Sequence, residues 1–372
     1  MAKYRIAVMP GDGIGNDVMD AAKIVLEKIA LDAEYVPADI GWEFWRTEGE
    51  SLPQRTLDTL ITCDCALFAA ITSKPNEEAE AELVPDLQGT GLVYRSPIVR
   101  LRQAFDLYVN LRPCKAFEGN PLNFRDDIDL VVFRENTQGL YAGVEFHPLP
   151  VDVRTVLEAN SPRMAAFEGV PSEDIALSTR IFTREGCRRI VRKAFEYAEQ
   201  FAYTTVTLVE KPNVIRETSG LMVREARKIA AEFPGIELWE TNVDAMAMWL
   251  IKNPQDYGVL VSSNMFGDIV SDLAAQLVGG LGFAASGNIG DKMAVFEPTH
   301  GSAPKYAGQY IVNPTAMLLA VKLMLDWLGE TDAAAALERA IADVIAESKV
   351  RTYDLGGDSS TLDLAEAVAE RL

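Results

Sequence analysis

The chain has 372 residues, 48% of them hydrophobic, and its 35 basic against 55 acidic side chains give a formal net charge of −20. That length allows two domains or one large α/β unit around a sizeable core, and the charge argues against nucleic acid or an anionic membrane surface as a partner. With only two histidines, His147 and His300, a histidine-rich zinc site is excluded and acid–base chemistry falls mainly to Lys, Tyr, Asp or Glu.

In chain order, Arg5 to Met9 reads as a strand with no signal peptide before it, and Asp17 to Ile29 as an amphipathic helix. Between them, Pro10-Gly11-Asp12-Gly13-Ile14-Gly15-Asn16-Asp17 invites a dinucleotide-fold reading. Its G-x-G-x-G spacing and Asn16 in the sixth position leave a tight turn as the better account, and no nicotinamide pyrophosphate is expected there. Cys65 to Ala70 is a buried strand, and Cys63, Cys65, Cys114 and Cys187 read as packed thiols of a reducing, cytoplasmic compartment. Ser73 to Thr90 is expected as an exposed loop or short helix, and His147 to Pro171, broken by four prolines, as irregular. Strands at Leu130 to Phe133, Thr205 to Val209 and Tyr257 to Val261 alternate with helices at Glu185 to Gln200, Val223 to Glu232, Ala245 to Ile251 and Asp268 to Val278. Such interleaving predicts an α/β fold with a buried sheet. The apolar stretch Ala316 to Leu328 is interrupted by Lys322 and Asp326, so no membrane span is expected.

Asp268 and Asp272 stand four apart where a strand meets a helix, on one helical face. Side by side, they suit Mg²⁺ or Mn²⁺; as acidic residues in a helix's first turn they would equally suit the macrodipole. Arg102, Arg112 and Arg134 could grip a di- or tricarboxylate through guanidinium forks, or form surface ion pairs. Tyr141 lies between glycines, Lys211 follows a strand, and Asp244 opens a helix, where a third carboxylate would help hold a divalent ion.

Read together, these segments resemble the metal-dependent β-decarboxylating dehydrogenases, the isocitrate/3-isopropylmalate dehydrogenase family. The resemblance runs nearly full length, through Pro10 to Gly15, Asn110-Leu111-Arg112-Pro113, Arg134-Glu135-Asn136-Thr137, Asn264 to Gly282, Glu297 to Pro304 and Asp354 to Gly357. It implies a three-layer α/β fold distinct from the Rossmann fold, with two domains around a central cleft. Residues 1–108 with 262–372 would form the large domain. Residues 109–261 would form the small one, with the dimer interface and a clasp at Val151 to Arg180. It implies a homodimer with shared sites: Asp268 and Asp272, with Asp244 from the neighbour, would hold Mg²⁺ or Mn²⁺, Lys211 from the neighbour would be the base, and Tyr141 the acid. Arg102, Arg112, Arg134 and Asn213 would bind substrate.

His300, Gly301, Ala303, Lys305, Tyr306 and Asn313 would meet the cofactor. The pair Lys305-Tyr306, with Tyr353, resembles NADP-using members, whereas Gly357 and its neighbours resemble NAD users; the expectation is NAD, with NADP possible. Ser96 resembles the isocitrate enzymes, where Ile98 replaces their asparagine; Ile98 with Val99 could wall an isopropyl group, and Arg95 could pair with a γ-carboxylate. Isocitrate ranks first, then 3-isopropylmalate and homoisocitrate. The family also contains non-catalytic regulatory subunits, which lose catalytic residues that this chain retains.

Overall fold

The computed structural model describes residues 2–372. Twelve strands are β1 (Tyr4–Gly11), β2 (Ala33–Pro37), β3 (Cys65–Ala70), β4 (Val109–Lys115), β5 (Asp129–Glu135), β6 (Glu145–Phe146), β7 (Leu177–Ser178), β8 (Thr205–Glu210), β9 (Glu237–Asn242), β10 (Val259–Ser262), β11 (Ala285–Ile289) and β12 (Ala294–Pro298). Ten of them form one sheet in the order β2-β1-β3-β12-β11-β4-β5-β10-β8-β9. Both flanks are parallel, and the middle, β12-β11-β4-β5, is antiparallel. β6 and β7 pair apart from it as a short ribbon.

Helices cover both faces, so a strand such as β3 is buried on both sides and apolar along its whole length. The two faces differ. On one, a single core runs unbroken across the sheet, taking Ile6, Leu67, Phe296, Leu111, Phe133, Val261 and Leu208 from successive strands. The helices Gly15–Ile29, Arg184–Gln200, Thr315–Trp327 and Thr331–Glu347 pack on it. On the other face the apolar residues form two separate cores. One holds Met9, Phe68 and Val295, and the other Leu130, Val132 and Leu260. The strip between them, where β12, β11, β4 and β5 meet, carries Glu297, Ser286, Asn288, Asn110, Arg112 and Arg134 instead. Side chains two apart on a strand share a face, which places all six on this side.

Several expectations need correction. The helix expected from Asp268 starts a turn earlier, as Asn264–Gln276. Asp268 and Asp272 are therefore in its second and third turns, where the macrodipole no longer accounts for their charge. The stretch from His147 is not irregular throughout, since Val151–Asn160 is a helix, with Pro150 and Pro162 at its limits rather than inside it. Ser73 to Thr90 does contain the short helix Asn76–Ala81, whose Ala79 and nearby Leu83 pack against Trp42 and Trp45. The apolar stretch at Ala316 lies in the buried helix Thr315–Trp327. Among the described residues, no helix is long and apolar enough to cross a membrane.

The N-terminal glycine loop is a packing device. Gly11 and Gly13 have φ of +71° and +56°, and a Cβ on Gly13 would lie 2.1 Å from the carbonyl oxygen of Ser302. Ile14 N donates to that same oxygen at 2.9 Å. The glycines thus let the first loop close against the Thr299-to-Pro304 segment.

Candidate active site

Ligands of open α/β sheets bind beyond the carboxyl ends of parallel strands. Here β5 ends in Arg134-Glu135, and β10, paired beside it with Ser262 opposite Arg134, leads into the helix Asn264–Gln276. Lys211 follows β8, and Asp244 follows β9 in the helix Val243–Lys252. Arg112 comes from the antiparallel β4, and Arg102 from the helix Pro97–Ala104.

The three arginines converge. Arg112 donates to Asp272 Oδ1 at 2.7 Å, to Asp268 Oδ1 at 3.3 Å and to Ser271 Oγ at 2.7 Å, while its Nε donates to Asn110. Buried Arg134 donates through Nη1 to Asp268 and through Nη2 to Asn264 Oδ1 at 2.9 Å. Its Nε, shielded from solvent, has no partner among the described residues. Burial lowers the Arg134 pKa to about 10, with Asp268 raising it and the charges of Arg102 and Arg112 lowering it further. Burial lowers that of Arg102 too. At about 10, the Arg134 guanidinium stays protonated at neutral pH. Three fixed cations within reach of one another are answered by partly exposed Asp268 and Asp272 and by buried Glu297, and a cation held by the two aspartates would leave the guanidinium forks free for an anion.

Tyr141 sits at the mouth, 46% exposed, with the Arg134 guanidinium 5.7 Å from its ring centroid. Partial burial and then the charge of Asp268 raise its pKa, which keeps the phenol protonated as a potential acid. Ser96 precedes the first turn of the Arg102 helix, Ile98 packs partly into the core, and Val99, three residues before Arg102, stays 39% exposed.

Other expected site residues lie elsewhere in the chain. Lys211 pairs with Asp244, which holds the Asp244 carboxyl below its ordinary range, and Asn213 is exposed beside them. No hydrogen bond or ion pair joins these three to the arginine cluster, and no three acidic, His or Cys side chains gather to hold a metal among the described residues. Asp268 and Asp272 supply two hard oxygen donors that fit a divalent cation.

In the segment expected to meet a cofactor, Ala303 adopts a left-handed conformation, Gly301 is open to solvent, and the Lys305 ammonium lies 4.5 Å from the Tyr306 ring centroid. Tyr306 lies 6.0 Å from Tyr353. Burial lowers the His300 pKa, and its Nε2 is shielded and unpartnered among the described residues. A neutral ring with one free nitrogen fits a polar base edge. Asn313 is engaged with Asp354 and with Thr315 N, leaving its second amide proton as the free side-chain donor.

A model of the isocitrate/isopropylmalate dehydrogenase family matches residues 5–368. The chain belongs to that family. Members of the isocitrate/isopropylmalate dehydrogenase family are decarboxylating dehydrogenases that generally use NAD(P) and a divalent metal. The chain is 40% identical to the 3-isopropylmalate dehydrogenase of Methanothermobacter thermautotrophicus, across 100% of this chain and 99% of that protein. It is also 40% identical to protein DlpA of Legionella pneumophila over 98% of its own length, but it spans only 58% of DlpA. The crystal structure of isocitrate dehydrogenase from Methylococcus capsulatus matches with a TM-score of 0.85 at 40% identity, covering 99% of both chains. The α/β fold expected from the motifs is therefore the fold of this family.

Sequence reasoning did not single out the groups that hold the arginines. Asn110, Asn288 and Glu297 are buried along the polar strip, and Asn136 lies just beyond β5. Nor did it find Arg180, which donates to Glu210, Ser219 and Ser263 and so ties the end of β8 to the start of the Asp268 helix. Polar residues inside otherwise apolar strands were the available signal.

Proposed function

We propose that this protein catalyses the oxidative decarboxylation of a 3-substituted malate, with isocitrate as the leading substrate, yielding 2-oxoglutarate and CO₂. What carries this reading is the convergence of Arg112 and Arg134 on Asp268 and Asp272, with the Arg102 charge close by, which sets three guanidinium forks for carboxylates beside two oxygen donors.

In this reading the arginines bind and orient the carboxylates of the acid. Asp268 and Asp272, with Asp244 from a second copy of the chain, hold Mg²⁺ or Mn²⁺. When bound, the divalent cation supplies Lewis acidity at the 2-hydroxyl, and NAD supplies the hydride acceptor. Lys211 from the second copy takes the hydroxyl proton, and Tyr141 delivers a proton to C3 after CO₂ leaves. The separation of Lys211 and Asp244 from the arginines within one chain supports a homodimer with shared sites. So do the exposed apolar residues Met248, Ile251 and Ile269 on two neighbouring helices, and Val151, Val156 and Phe167 in the clasp segment. The proposed domains are residues 1–108 with 262–372 and residues 109–261, and the strand order, which keeps β4, β5, β10, β8 and β9 together at one side, supports that division. Four unpaired cysteines accord with a cytoplasmic location.

NAD is preferred because Gly357 has no room for a longer residue: a Cβ there would lie 2.2 Å from the carbonyl oxygen of Arg351. Lys305, Tyr306 and Tyr353 give NADP a foothold. A second substrate reading, 3-isopropylmalate, is favoured by the exposed Val99 beside Arg102. The deciding measurement is kcat/KM for isocitrate, 3-isopropylmalate and homoisocitrate with each cofactor and Mg²⁺. Isocitrate with NAD is expected to lead. A higher value for another acid replaces the substrate, and no turnover with any of them overturns the enzymatic reading.

A further inference from the structure

The polar strip converges on one atom. Asn288 Oδ1 accepts from Arg102 Nε at 2.9 Å, from Asn110 Nδ2 at 3.0 Å and from Asn136 Nδ2 at 3.0 Å. Its own amide donates to Glu297 Oε1 at 2.7 Å and to Val295 O at 3.3 Å. The residue is wholly buried. A carboxamide oxygen has two lone pairs, so three donors saturate it. The donors come from the helix Pro97–Ala104, from β4 and from the segment after β5, so four parts of the chain meet at β11.

The geometry at Arg102 is the informative part. Asn288 takes its Nε, and Glu297 Oε1 lies 3.6 Å from Nη2. The guanidinium is planar and its nitrogens are fixed relative to one another. Holding Nε therefore sets the direction in which the terminal nitrogens point. Asparagine suits this task better than its near relatives. A serine is too short to reach all three donors, and an aspartate would set a second carboxylate against Glu297.

We infer that Asn288 is a positioning residue, which aims Arg102 at a substrate carboxylate from behind. This rests on the proposed reading that Arg102 grips that carboxylate. Losing a hydrogen bond to a charged group costs about 1.5–3 kcal/mol, so Asn288→Ala is expected to weaken acid binding by at least about tenfold. KM for isocitrate, or for whichever malate the wild type prefers, should rise accordingly with kcat little changed. Calorimetric titration of the acid into the Mg²⁺-loaded protein should report the same loss.

Asn288→Asp combined with Glu297→Gln keeps an acceptor for Arg102 Nε without setting two carboxylates face to face, and should recover part of the affinity, which also covers the case in which the alanine variant folds poorly. In an Arg102→Ala background, Asn288→Ala should add almost nothing, because its effect passes through the arginine. Additive effects, or a lowered Tm with KM unchanged, would overturn the positioning role while leaving the proposed function standing. Wild-type protein that binds none of the malates would instead remove the reading of Arg102, and the inference with it.

Discussion

Asp268 accepts from both Arg112 and Arg134, so its charge serves the resting protein as well as any bound cation. An amide at this position can still accept from Arg134 but is a far weaker ligand for a hard cation. Asp268→Asn is therefore expected to fold with a Tm within about 4 °C of wild type, the shift that ~1 kcal/mol causes in a chain of this size or smaller. Turnover should fall about 100- to 1,000-fold, as when one preorganised electrostatic contact is removed. Near wild-type rates at saturating Mg²⁺ would sink the metal assignment. At this scale the sequence was informative where a side chain stands in a recognisable run, as with Arg112 in Asn-Leu-Arg-Pro or Asp268 beside Asp272. Asn288 stands in a run, Ala284 to Gly290, that resembles the isocitrate enzymes, but nothing in that run marks its role. Its importance depends on β4 lying beside β11 and β5 beside β4, although β5 ends about 150 residues before β11 begins.

The helix Asn264–Gln276 is held close to β5 by Gly267. A Cβ there would lie 2.8 Å from Arg134 Cβ and 2.9 Å from Arg134 Cγ. Replacing glycine by alanine in a helix ordinarily gains about 1 kcal/mol, whereas forcing an extra methyl into packed surroundings costs about 1–3 kcal/mol. The second effect wins here, and it acts on an arginine proposed to bind substrate. Gly267→Ala should fail to raise Tm and should raise KM severalfold; a stabilised variant with unchanged KM would show that the contact is loose. The elements divide in legibility along the same line. β3 reads clearly because six apolar residues in succession leave no alternative. β4, β11 and β12 do not, because Asn110, Arg112, Ser286, Asn288 and Glu297 face the polar strip and interrupt the continuous apolar run that marks a strand buried on both faces. The helix after Pro150 escaped for another reason: prolines signal an interruption but also sit at helix starts.

For the whole molecule, the decisive question is whether two copies build each site. Lys211→Ala and Asp268→Asn homodimers should each be inactive, since both of their sites lack one essential group. In a mixed dimer, one site would combine the intact Asp268 of one chain with the intact Lys211 of the other. Co-refolding the two variants in equal amounts should restore about one quarter of wild-type activity, because half the dimers are mixed and each has one complete site. No recovery, with mixed dimers verified by mass spectrometry, would place every essential group in a single chain.

The division of the core has a mechanical consequence. One face of the sheet is backed by a continuous apolar mass, and the opposite face by two masses parted along the polar strip. Such a body resembles a bound book: stiff along its spine, with one easy direction of bending that parts or closes the pages at the arginines. Apolar packing on the spine side resists shear between the halves, so bending along the strip is the easiest motion left, and in the proposed reaction it would admit a small acid and then shut out water.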